Sequence, residues 1–132
     1  GATLIDDTYN ANPESMRAAI AVLGQAPGSR ILVLGDMGEL GERAQALHAE
    51  LGVCAREAGI ERLLTLGELA AHTARAFGSG ARHYDRLEDL LAALESALAP
   101  NATALVKGSR FMKMERVVDA VVDGQPDAGG KQ

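Results

Sequence analysis

Along the chain, short runs of apolar, β-prone residues alternate with stretches in which apolar positions recur at helical spacing. Thr3-Leu4-Ile5-Asp6 is the first such run. Asn12-Pro13-Glu14 then opens a helix: Asn caps well, Pro is favoured at the first helical position, and Glu suits the positive helix end. Met16, Ala19, Ile20 and Leu23 form its apolar stripe, and Pro27-Gly28 ends it. Ile31-Leu32-Val33-Leu34 is apolar throughout, the pattern of a strand buried on both faces. A helix is predicted over 42–58, with Leu47, Leu51, Cys54 and Ala58 on one stripe. Arg62-Leu63-Leu64-Thr65-Leu66 is a third strand, a short helix follows over 68–76, and Arg82-His83-Tyr84 is a weak fourth strand. Asp85 and Glu88 have capping-box spacing before a helix whose buried face is Leu87, Leu90, Leu91, Leu94 and Leu98. Residues 102–106 make the fifth strand, and Lys107-Gly108-Ser109-Arg110 leads into a last helix carrying Met114, Val117, Val118 and Val121.

This alternation predicts an α/β fold: a doubly wound, mostly parallel, Rossmann-like sheet of about five to six strands with helices on both faces. The 132 residues have room for one domain, residues 1–123, followed by a Gly-, Pro- and polar-rich tail, 124–132, predicted to lack fixed structure. The chain opens on Gly1 and runs directly into apolar sequence, so it reads as part of something longer. No apolar run is long enough for a membrane helix, and no secretory leader pattern opens the chain. The single Cys54 excludes an intrachain disulfide and fits a reducing, cytoplasmic setting. A net charge of −5 and the lack of Trp argue against a nucleic-acid partner.

In open parallel sheets, ligands bind beyond the carboxyl ends of the strands. Polar residues collect there. Asp6, Asp7, Tyr9, Asn10 and Asn12 follow the first strand, and Gly35, Asp36, Met37, Gly38 and Glu39 follow the second. Gly67 and Glu68 follow the third, and Lys107, Gly108, Ser109 and Arg110 the fifth. Each cluster singly is also what a turn prefers. Lys107, Arg110 and Lys113 are expected just before or within the first turn of the last helix, where cations oppose the helix dipole. Two readings stand: an anion docks on that helix end, or the bases turn away to pair with carboxylates on neighbouring loops. Asp6 is expected to accept hydrogen bonds from its own loop, and Asn12 to cap the first helix. His48, His72 and His83 lack metal-ligand spacing and are expected to be surface or helix residues. Cys54 is expected to be an inert core thiol. No Walker-type loop and no G-x-G-x-x-G after the first strand is present, so neither common phosphate site is complete.

Three segments carry a resemblance. Ile5-Asp6-Asp7-Thr8-Tyr9-Asn10-Ala11-Asn12-Pro13 is the first, Leu34-Gly35-Asp36-Met37-Gly38-Glu39-Leu40-Gly41 the second. The third is Leu105-Val106-Lys107-Gly108-Ser109-Arg110 with Met112-Lys113-Met114-Glu115. In this order and at these distances they resemble the C-terminal domain of the Mur ligases, over about residues 2–122. The resemblance implies the third domain of an ATP-dependent amide-bond ligase of bacterial peptidoglycan synthesis. Such an enzyme adds D-alanyl-D-alanine to a UDP-N-acetylmuramoyl-tripeptide through an acyl phosphate. It further implies that ATP and Mg2+ are held largely by a central domain of the same chain, which supplies the phosphate loop and metal ligands. By the same resemblance Asp7 contacts the ATP ribose, and Tyr9, Asn10 and Asn12 face the nucleotide. Gly35, Asp36, Met37 and Glu39 border the dipeptide, and Lys107, Ser109 and Arg110 receive its anionic end.

Two other classes fit parts of the pattern. A phosphoacceptor receiver domain also has an acidic pair after its first strand and a lysine after its fifth, which Asp6-Asp7 and Lys107 match. It needs an aspartate at the end of the third strand, where this chain has Leu64-Thr65-Leu66-Gly67. A plain interaction module is the third reading.

Overall fold

The computed structural model describes residues 1–124. The predicted tail lies outside them except for Gly124, which closes the last helix instead of opening a tail. The elements are β1 (Thr3–Asp7), α1 (Pro13–Gly24), β2 (Arg30–Leu34), α2 (Ala44–Glu57), β3 (Arg62–Leu66), α3 (Ala70–Phe77), β4 (Ala81–Tyr84), α4 (Leu87–Ala97), β5 (Thr103–Lys107) and α5 (Glu115–Gly124). Short 3-10 turns, Gly41–Arg43 and Arg110–Met112, precede α2 and α5.

All strand pairs are parallel and the sheet order is β1-β5-β2-β3-β4. From β1 to β4 the chain travels across the sheet in one direction; α4 then carries it back, and β5 enters between β1 and β2. Parallel crossovers share one hand, so reversing direction moves the connecting helix to the opposite face. Accordingly α1, α2 and α3 cover one face, where Met16, Ile20, Leu23, Leu51, Ala55 and Phe77 pack on Leu32, Leu34, Leu63 and Leu105. On the other face Leu90 and Leu94 of α4, with Met114 and Val117, pack on Ile31, Val33, Leu64, Leu66 and Val106. The doubly wound arrangement is as expected, with five strands.

Local chemistry explains the element starts. The Ser15 N–H donates to Asn12 Oδ1 at 2.8 Å, and the Asn12 N–H donates to Ser15 Oγ at 3.0 Å, a reciprocal cap that fixes α1. The expected Asp85–Glu88 capping box does not form. Arg86 occupies the N-cap in extended conformation with no side-chain cap. The Glu88 carboxyl is instead held below its usual range by a backbone hydrogen bond within its own residue, and then by the Arg86 charge.

The buried face of α2 is also turned from the expected stripe. His48, Leu51, Gly52 and Ala55 are buried, while Leu47, Cys54 and Ala58 are only partly so. The cause is α3, which crosses α2 so closely that a Cβ on Gly52 would overlap the Thr73 carbonyl oxygen and lie 2.9 Å from the Ala76 Cβ. Small residues let the two helices touch backbone to backbone. Gly52→Ala is therefore expected to lower stability by about 1–3 kcal/mol through overpacking, read as a drop in the urea midpoint of unfolding. An unchanged midpoint would contradict this packing.

Candidate functional site

Parallel strands put all their carboxyl ends on one edge, and the strand order decides which loops meet there. With β5 between β1 and β2, Asp7 stands beside Lys107, and Lys107 beside Leu34. The loops after β1, β5 and β2 are therefore neighbours, in that order. The three motif segments read from the sequence converge on one edge.

Lys107 forms the central link. Its side chain is only 3% exposed, and its Nζ lies 3.1 Å from Asp7 Oδ1 and 2.8 Å from the Asn10 carbonyl oxygen. Asp7 remains 41% exposed on its outer side, which leaves carboxylate surface facing solvent. Next to this pair the Arg110 guanidinium stacks over the Tyr9 ring, 4.9 Å from its centroid. An open cleft of about 410 Å³, lined by Asp6, Asp7, Thr8, Tyr9, Arg110 and Glu115, lies over these groups. That volume is in the range of small-molecule sites. Among the described residues lining the cleft, Arg110 is the single base, set against three carboxylates.

Several predicted site residues hold the loops themselves. Asp6 Oδ1 accepts from the Thr8 N–H (3.2 Å) and Oγ1–H (2.7 Å), as expected. Asn10 Oδ1 accepts the Ala11 N–H at 2.8 Å, and Asn12 caps α1. Asp36 is buried. Its carboxylate accepts the Ala70 N–H (2.7 Å) and Leu69 N–H (3.2 Å), capping α3 from another loop. Its carbonyl accepts both the Ser109 N–H (3.0 Å) and Oγ–H (2.7 Å). Met37 is fully buried, and its N–H donates to His48 Nε2 at 3.0 Å. The polar groups of Asp36, Met37 and Ser109 are thus directed into the protein, and Lys107 is engaged with the β1 loop. Glu39, in left-handed conformation (φ 57°), and Arg110 are exposed.

Glycines make this close assembly possible. A Cβ on Gly35 would lie 2.8 Å from Met114 Sδ, and one on Gly108 2.6 Å from Met114 Cγ, so the buried Met114 seats both loops. Gly67 (φ 113°) passes under the Asp36 carboxylate where no Cβ fits. Phe111, exposed, lays its ring against Gly38.

The expected stack of cations on a helix end is not formed. After β5 comes the 3-10 turn Arg110–Met112, then Lys113 in left-handed conformation, and α5 begins only at Glu115. Its first turn is acidic, the favourable choice. Lys107 follows the other reading and pairs with a carboxylate, which leaves Arg110 as the base facing the cleft. His48 was expected at the surface or on a helix. It lies on α2, yet is 1% exposed and joined to the β2 loop; the expected apolar stripe of α2 did not include it. The Tyr9–Arg110 stack has no signal in sequence, since 101 positions separate its partners.

A family model described as Mur ligase, glutamate ligase domain, matches residues 1–110. The chain belongs to the Mur ligase family. UDP-N-acetylmuramoyl-tripeptide--D-alanyl-D-alanine ligase of Escherichia coli K12 is 44% identical to this Mur ligase domain over 120 residues, covering 89% of this chain and 26% of that protein. The enzyme of the same name from Bacillus subtilis 168 is 35% identical over 130 residues, covering 93% and 28%. A crystal structure of MurF from Acinetobacter baumannii aligns with a TM-score of 0.82 at 34% identity, covering 89% of this chain and 27% of that one. MurF ligase from Thermotoga maritima in complex with ADP aligns at 0.78 and 30% identity, covering 90% and 27%. The domain thus spans roughly a quarter of the length of the relatives it matches. The receiver reading is not supported. Receiver sheets have the order 2-1-3-4-5, whereas here β5 stands between β1 and β2.

The Lys107 link makes a checkable demand on the domain. Lys107→Met keeps the apolar stem but removes the charge from Asp7 and the donor from Asn10. The expected loss is about 1–2 kcal/mol, moderated because Asp7 is partly solvated. It would be measured by urea unfolding together with faster amide exchange at residues 8–10. Unchanged exchange there would show that the pair does not hold the loop.

Proposed function

We propose that this domain is the C-terminal part of an ATP-dependent ligase that adds D-alanyl-D-alanine to a UDP-N-acetylmuramoyl-tripeptide in peptidoglycan synthesis. The observation that carries the reading is the double link across the cleft. Asp7 and Tyr9, on the nucleotide-side loop, are joined to Lys107 and Arg110, on the amino-substrate-side loop, by an ion pair and a cation–π stack. An enzyme that couples nucleotide to an incoming amine needs those two loops in fixed relation.

ATP supplies the phosphoryl group that turns the peptide carboxylate into an acyl phosphate, from which the dipeptide amine displaces phosphate. The described residues fit only part of that work. The solvated side of the Asp7 carboxylate can accept hydrogen bonds from ribose hydroxyls, and the exposed Tyr9 ring offers a flat apolar surface beside it. Asn10 and Asn12 hold this loop in shape. Arg110 offers a planar fork to the free carboxylate of the dipeptide. Glu39 is outside the lining of the cleft; its proposed role at the border of the dipeptide rests on the family resemblance and on its exposure, on a loop that Asp36, Met37 and Ser109 hold from beneath. Among the described residues there is no group of three or more His, Cys, Asp or Glu side chains that could hold a metal ion. In the proposed enzyme the Mg2+ ligands and the phosphate loop are assigned to another domain, as the family resemblance implies. No helix among the described residues is long and apolar enough to cross a membrane; a cytoplasmic site of action is part of the proposal.

Two outcomes test the proposal. In the complete ligase, Arg110→Ala is expected to lower kcat/KM for D-alanyl-D-alanine by about 1.5–3 kcal/mol, the value of a lost charge-assisted hydrogen bond, with little change in KM for ATP. Unaltered dipeptide use by a folded variant would displace the site. The 132-residue chain alone is expected to show no ligase turnover in a phosphate-release assay; turnover by it would contradict the division of labour.

A further inference from the structure

We propose that His48 is a positioning residue for the amino-substrate side of the cleft, acting through the backbone amide of Met37. The proposal rests on the reading of the β2 loop and Arg110 as the dipeptide's site. His48 is 1% exposed and both ring nitrogens are engaged. Nδ1 lies 2.7 Å from the Ala44 carbonyl oxygen, which can only accept, so Nδ1 carries the proton. Nε2 lies 3.0 Å from the Met37 nitrogen, whose N–H can only donate, so Nε2 presents its lone pair. The two contacts select one neutral tautomer and fix the ring plane. The Thr73 Oγ1–H donates to the His48 carbonyl at 2.8 Å, tying the same residue to α3.

Met37 stands at the centre of the loop. On one side is Asp36, bonded to the start of α3 through its carboxylate and to Ser109 through its carbonyl. On the other is Gly38, covered by the Phe111 ring. The loop is therefore held from α3, from the β5 loop, and, by the one side-chain hydrogen bond that α2 gives it among the described residues, through His48. Without an acceptor at Nε2 the Met37 amide is buried and unpaired, a cost relieved only by moving the loop. Such a movement reaches Glu39 directly and Arg110 through Ser109. Tyr9 is met only beyond Arg110, through the ring stack, and Asp7 is held separately by Lys107.

Two substitutions of similar size separate positioning from packing. His48→Gln brings an amide oxygen to the ε position and keeps an acceptor for Met37. His48→Asn reaches only the δ position, where it keeps the donor to Ala44 and leaves Met37 without an acceptor. In the complete ligase, His48→Asn is expected to raise KM for D-alanyl-D-alanine about tenfold, with kcat and KM for ATP within about twofold, whereas His48→Gln stays near the parent enzyme. Amide exchange at Met37 and Ser109 is expected to quicken in the Asn variant and not in the Gln variant. Equal dipeptide KM values for the two variants would overturn the proposal, as would a uniform fall in all kinetic parameters. Should His48→Asn not fold, the Gln variant decides alone: a normal dipeptide KM supports the role and a raised one overturns it. Arg110→Ala run in the same assay separates the two levels. If it is impaired while His48→Asn is not, only the role of His48 fails; if neither is impaired, the site reading itself fails.

Discussion

Lys107 carries an ammonium group from the end of β5 into nearly complete burial, and such a charge cannot remain without acceptors. Asp7 and the Asn10 carbonyl supply them, and both belong to the exit of β1. The loop after β1 is consequently held wherever β5 stands. Because β5 is the strand between β1 and β2, this one ion pair organises the middle of three adjacent loops. The Tyr9–Arg110 stack extends the same connection outward to the exposed rim. Every chemical property ascribed to the cleft depends on these two loops being side by side and tied.

A second constraint works from below. Asp36 follows the apolar run Ile31–Leu34 of β2, yet it is an acidic residue and buried. It is stabilised by the free N–H groups at the start of α3, which need an acceptor as much as the carboxylate needs donors. Its carbonyl takes both donors of Ser109. With His48 on the remaining side, the β2 loop is fixed by three separate elements. The glycines at 35, 67 and 108 are the spaces through which these groups approach. The result is a rigid base presenting a small number of free side chains, Glu39, Arg110, Phe111 and Tyr9 among them. Binding groups held by such a base lose little conformational freedom when they meet a ligand.

The cleft over this base is open, lined by three carboxylates and a single guanidinium, and the sequence holds no phosphate loop. That is the form of one wall of a site. It agrees with membership of the Mur ligase family and with a match to only about a quarter of each relative's length. The proposed enzyme would close this wall over a second one that holds the phosphates and metal. The direct links between Asp7, Lys107, Tyr9 and Arg110 would then let the closed wall address nucleotide and amine as a unit.

Much of this was determined by the sequence alone. Strand–helix alternation, the double burial of Ile31-Leu32-Val33-Leu34 and the cap at Asn12 follow from residues within a turn or two of each other, and the family resemblance from three such short segments in fixed order. Those signals survive folding because local hydrogen bonds and periodicity do not depend on distant partners. The failures were of two kinds. At Asp85 and Glu88 the spacing of a capping box was present, but the helix takes Arg86 as its N-cap and the Glu88 carboxyl bonds its own backbone first, with the Arg86 charge second. Lys107 had carboxylate pairing as one of two readings, Asp36 stood among turn-like residues and His48 was expected as a surface or helix residue; the particular partner of each is distant in sequence. Lys107 meets a residue 100 positions away, and Asp36 one 34 positions away. Only the order of strands, set by how the whole apolar surface packs into two layers, decides which loop faces which. The sequence determined that polar groups would gather at one edge of a parallel sheet; the tertiary structure alone decided which of them pair inward and which stay free to bind.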